Sequence, residues 1–110
     1  MPPTKPTDPI FELFDFLGEL TALRKEHKLV LNSPAKVLIE WDSPENLNSL
    51  FLSAQFALIH FRDRVKDFLK LNTANPFEVQ HVLNEVESSL DMLTLQRSNY
   101  NALLATKEED

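Results

Sequence analysis

Glu78-Val79-Gln80-His81 is the spacing with the most definite chemical meaning in this 110-residue chain. A Glu-x-x-His on a helix offers two ligands to a di-iron carboxylate centre, but such a centre takes the motif twice. Here it occurs once, and in the heptad of its own helix both residues fall outside the core positions. No metal site is assigned. His60 stands in an apolar run ahead of Arg62-Asp63-Arg64. On a bundle surface it would suit phosphotransfer with a receiver domain. Asp63 and Arg64 fit that approach badly, and a half-buried structural histidine is the simpler reading. His27 falls on an apolar stripe and reads as a core or boundary histidine with a hydrogen-bond partner.

Nucleophilic and phosphate chemistry lack their materials. The absence of cysteine removes a thiolate nucleophile, a thiolate zinc site and a disulfide framework. There is no Gly-x-Ser-x-Gly elbow, and the single glycine, Gly18, cannot build a phosphate-cradling loop. The carboxylate pairs Glu85 with Glu87 and Glu40 with Asp42 are i,i+2 neighbours, which point apart on a helix. No catalytic residue and no cofactor are therefore assigned.

The dense basic cluster is Arg62, Arg64, Lys66 and Lys70. It would attract an anionic ligand, but Asp63 and Asp67 interrupt it and no glycine-rich loop or aromatic platform accompanies it. Antiparallel pairing with the following helix sets it beside Glu78, Glu85, Glu87 and Asp91 instead. The whole chain carries a net charge of −6, which repels phosphate backbones and anionic leaflets. Neither nucleic acid nor a membrane is expected as a partner. The most apolar stretch, residues 50–61, holds Ser53, Gln55 and His60 and is too short to span a bilayer. The first residues carry no secretory signal. With no cysteine to oxidise, a cytoplasmic location is expected.

The elements that carry these residues are written in the prolines. Pro9 follows Asp8, Pro34 follows Ser33, Pro44 follows Ser43 and Pro76 follows Asn75. Asp, Ser and Asn are favoured N-caps and proline is favoured at the first helical position, so four helix starts are predicted. The fold class is all-α: an antiparallel bundle with a long hairpin (about residues 44–71 and 76–106), an N-terminal helix (about 9–31) and a short helix (about 34–41). A single glycine argues against an all-β fold. A rival reading makes 29–32 and 36–41 two strands, since both are β-rich. Asn32 and Asn72 are candidate C-terminal caps, and Gly18 a candidate close helix contact. Residues 1–8 read as a flexible proline-rich leader, in which Pro3-Thr4-Lys5-Pro6 has the spacing of a polyproline ligand. Residues 9–106 read as one helical domain and 107–110 as a frayed acidic tail.

Two heptad seams are predicted to form the core. One is Leu47, Phe51, Ala54, Leu58, Phe61, Val65 and Phe68. The other is Val79, Leu83, Val86, Leu90, Leu93, Arg97, Tyr100 and Leu104. Apolar residues remain once these are placed. Leu52, Phe56 and Ile59 lie opposite the first seam, and Phe14 lies off the main stripe of the N-terminal helix. A helix apolar all round is buried all round or meets another chain. Phe14, Leu52, Phe56 and Ile59 are therefore the expected protein interface, for a homodimer or a constitutive protein partner. The function expected is a non-enzymatic interaction module, a small regulatory, adaptor or assembly subunit. The alternative is a histidine phosphotransfer domain or another enzyme built in a bundle.

Overall fold

The computed structural model describes the backbone of residues 9–71 and 76–109 and the side chains of 13–71 and 77–107, and every regular element in them is a helix. In order these are α1 (Pro9–Glu26), α2 (Lys28–Asn32), α3 (Ala35–Trp41), α4 (Pro44–Leu71) and α5 (Pro76–Glu109). The all-α bundle with its long C-terminal hairpin is thus observed, and residues 29–32 and 36–41 lie in helices rather than strands. The leader, Asp8, and the Asn72–Asn75 loop with its candidate cap lie outside the described residues. The last helix continues to Glu109, three residues beyond the expected end.

Prolines 9, 44 and 76 are each the first residue of a helix. At α4 the cap is complete: the backbone N–H of Asn46 donates to Ser43 Oγ at 3.3 Å, and Leu47 N–H donates to Ser43 O at 3.0 Å. Asp42 Oδ1 adds a second anchor, accepting from Ser43 N–H at 2.7 Å. Pro34 differs. It occupies the N-cap of α3 itself, with φ −61° and ψ 152°, because Ser33 is already used to end α2.

The N-terminal helix expected over 9–31 is broken at His27, whose backbone sits at φ −105° and ψ 22°. Main-chain bonds still cross the break, from His27 N–H to Leu23 O and from Leu31 N–H to His27 O. The bend therefore loosens the helix without stopping it. Asn32 does not adopt the left-handed cap, since no described non-glycine residue has positive φ. Ser33 closes α2 from an extended conformation, donating its N–H to Leu29 O at 3.1 Å. Gly18 is no contact point either: a methyl group there would meet only open space.

The chain makes three legs. α1, α2 and α3 run in sequence along α5 in the same direction, and α4 returns antiparallel to both. Arg24 meets Glu85, Ser33 meets Gln96, and Ile39 shares a cavity wall with Leu103, which fixes the parallel register. Arg62 with Glu87 and Phe51 with Tyr100 fix the antiparallel one. The result is a slab of 66 × 28 × 16 Å.

Its core follows the predicted seams. Leu47, Phe51, Ala54, Leu58, Phe61 and Val65 of α4 are buried, with Phe68 partly so. Val79, Leu83, Val86, Leu93 and Tyr100 are buried on α5, while Leu90 and Leu104 are half-buried. Phe16 locks α1 to α4 by edge-on contacts with Phe61 and Phe68, centroids 5.9 and 5.3 Å apart. Such pairs contribute roughly 0.5–1.5 kcal/mol beyond the area they bury. Val82 and Ser89 are also buried. They lie off the heptad seam because α5 packs on two neighbours, α4 and the N-terminal leg.

Candidate functional site

Arg24 reaches from α1 to α5 and is the polar centre of the covered side. Its Nε donates to Ser89 Oγ, and its Nη2 donates to both Glu85 O and Glu85 Oε2, all at 2.9 Å. Ser89 Oγ–H in turn donates to Glu85 O at 3.2 Å, which satisfies the one buried polar side chain found in the core. Hydrogen bonding and then charge attraction from Arg24 hold the Glu85 carboxyl below its ordinary range. Desolvation opposes this, and His81, 3.8 Å away, adds slightly to it. This is a clamp between helices. Neither Arg24 nor Ser89 was marked by local spacing, since their partners are more than sixty residues apart in sequence.

Of the basic cluster of α4, Arg62 alone finds an α5 carboxylate among the described residues, so the expected pairing with Glu78, Glu85, Glu87 and Asp91 holds at one position. Arg62 pairs with Glu87 of α5 at 3.3 Å. Its buried Nε lies 3.6 Å from Asp63, beyond hydrogen-bond reach. Arg64 faces the other way and forms a forked pair with Glu19 of α1, above the ring of Phe16. Glu85 is taken by Arg24 rather than by the cluster. Lys66 and Lys70 remain exposed.

Among the histidines, His60 is exposed on α4 rather than half-buried, and His27 is half-buried at the α1–α2 break. Glu78 and His81 both face solvent, and no group of three potential ligands is gathered among the described residues. Glu40 and Asp42 are exposed, and Asp42 is engaged in the cap of α4.

The four residues expected to form an interface divide. Phe14 is 62% exposed and Phe56 is 68% exposed. Leu52 and Ile59 are half-buried. Leu52, Phe56 and Ile59 belong to one stretch of α4. Phe14 sits on α1, two residues before Phe16 and so on the side turned away from the core. Further apolar side chains are exposed that the pattern did not single out: Phe77 at 85%, and Leu71 and Trp41. Phe77 and Leu71 flank the hairpin tip, where the chain leaves one helix and enters the next.

A concavity lies between α4 and α5. It measures about 420 Å³, with Phe51, Leu90 and Leu93 as its floor and Gln55, Thr94 and Arg97 on its walls. It lies on the side away from α1–α3, and none of the described residues covers it. No helix in the described residues is long and apolar enough to cross a membrane. Compared with protein-family models, curated proteins and solved structures, this chain matches none.

Proposed function

We propose that this chain is a non-enzymatic protein-interaction module, a small cytoplasmic adaptor, regulatory or assembly subunit that works through apolar helical surface. The observation that carries the reading is the exposure of Phe14 and Phe56 on helices whose opposite faces already fill the core. Apolar patches larger than a few hundred Å² on a soluble chain mark association surfaces. The described titratable groups support the same reading from the other side. Arg24 with Glu85, Arg62 with Glu87 and Arg64 with Glu19 each form an ion pair that clamps helix to helix.

Pull-down from the native host with wild-type bait and with Phe56→Glu bait tests it. A protein recovered by the wild type and lost with the variant is expected, with helical circular dichroism equal for both. Equal recovery by both baits, or by neither, overturns the role of this face.

The exposure of His60 favours a second reading, a phosphotransfer domain. Incubation with a phosphodonor distinguishes the two. An interaction module takes no label on wild type or His60→Gln, whereas label lost only in His60→Gln would replace the first reading with the second.

A further inference from the structure

The uncovered side of the α4–α5 pair carries charges that do not balance within one chain. Three of the four arginines meet a carboxylate: Arg24 with Glu85, Arg62 with Glu87, and Arg64 with Glu19. Among the described residues Arg97 meets only the neutral amide of Asn48, at 2.5 Å, on the wall of a groove that no carboxylate lines. One turn before Thr94 on the same helix, Asp91 is exposed and makes no ion pair among the described residues.

α4 shows a matching pattern. Glu45, Leu52, Ile59 and Lys66 recur every seven residues and form a second stripe, distinct from the core seam. The stripe runs beside Gln55 and Arg62, which face α5 on the open side. Its middle residues are half-buried, and its charged ends are exposed without ion pairs among the described residues. An acid at one end, a base at the other and two aliphatics between them form a sequence that complements its own reverse.

The register shows that both helices share one centre. Gln55 lies seven residues before Arg62, and Thr94 lies seven after Glu87. The Arg62–Glu87 pair therefore sets Gln55 level with Thr94, and both line the groove. Asp91 and Arg97 lie about 4.5 Å to either side of that level, and Glu45 and Lys66 about 15–17 Å to either side. A two-fold axis in the plane of this face, crossing both helices there, exchanges Asp91 with Arg97, Glu45 with Lys66, and Leu52 with Ile59.

We infer that this face is the seat of a second copy of the chain, α4 laid antiparallel on α4 and α5 on α5. The symmetric contact gives each copy's Arg97 the other's Asp91 and each Lys66 the other's Glu45. It buries Leu52 of each copy against Ile59 of the other and sets groove against groove. No like charges are opposed at these positions, although each chain is acidic overall. The inference rests on the interaction reading and deepens it by naming the partner and the face.

Sedimentation equilibrium on four chains decides it: wild type, Asp91→Arg, Arg97→Asp and the double swap of both. A wild-type dimer is expected. Each single variant should weaken it about tenfold or more, because the altered pair occurs twice and like charges then meet. The double swap should restore association. Lys66→Glu, alone and with Glu45→Lys, repeats the test at exposed positions where folding is not at stake. Helical circular dichroism must be unchanged throughout. A dimer indifferent to the single variants overturns this face and leaves association to another surface. A wild type that stays monomeric at its highest soluble concentration overturns the dimer. The interaction reading then stands or falls on the Phe56→Glu pull-down.

Discussion

The two sides of the α4–α5 pair are built from the same heptad rhythm and end in opposite conditions. On the side of α1–α3, Phe16, Leu20, Val30, Leu31 and Leu38 are buried against the hairpin, and Arg24 satisfies a buried hydroxyl as it ties the legs together. On the other side, Leu90 is only half-buried, Arg97 has a neutral partner, and a groove remains open. A heptad seam specifies that two helices pair. What lies over each edge of that pair is decided by the residues one step off the seam. Val82 and Ser89 close one edge, and Gln55, Thr94 and Asp91 leave the other wettable.

The comparison breaks most readily in the core. Phe61→Ala removes a ring that joins α1 to α4, and about 3–5 kcal/mol should be lost in denaturant unfolding. Phe56→Ala on the same helix should change stability by no more than about 0.5 kcal/mol, because that ring lies in solvent. Equal losses would mean that α4 presents a different face to its neighbours.

The Arg62–Glu87 pair sharpens the register on which the open side is defined. Charge reversal at each residue alone and at both should give a coupling of about 0.2–1 kcal/mol, diminishing as salt is raised. Zero coupling at low ionic strength would argue for a slipped α4–α5 alignment.

The smallest effect belongs to the covered side. Glu85 titrates below its unfolded-state value because Arg24 binds its charged form. Its contribution to stability is present in full above the unfolded carboxylate range, near pH 4.5, and is lost as the pH falls through the lowered folded value. Thermal melts of the wild type should therefore fall more steeply with acid below about pH 5 than those of Arg24→Gln. Parallel curves would show that the clamp adds nothing in solution.

Much of the frame is legible in short-range pattern. Ser43-Pro44 marks the start of α4 because capping and the fixed proline φ act within a few residues, and the α4 seam follows from periodicity alone. The break at His27 is not legible, since neither glycine nor proline stands there to mark it. Gly18 shows the converse: a residue that suggested a contact faces open space. The site divides in the same way. The surplus of apolar residues on α4 can be counted from sequence. The exposure of His60, the exposure of Phe14 and Phe56 and the Arg24 clamp depend on which helix lies on which side, and that is set by contacts distant in the chain.

The N-terminal leg carries a further consequence, for how the molecule opens. α2 and α3 have five and seven residues, well below the roughly 12–15 at which an isolated helix begins to hold in water. Their main-chain amides are therefore protected only while Val30, Leu31 and Leu38 are docked on the hairpin. In deuterated solvent these two segments should exchange through excursions that leave α4 intact, whereas the amides around Leu58 and Phe61 should wait for the hairpin itself to part. Lifting of α2 and α3 is therefore expected before the hairpin parts, and it uncovers the stretch of α5 beside Gln96 and Leu103 without unfolding it.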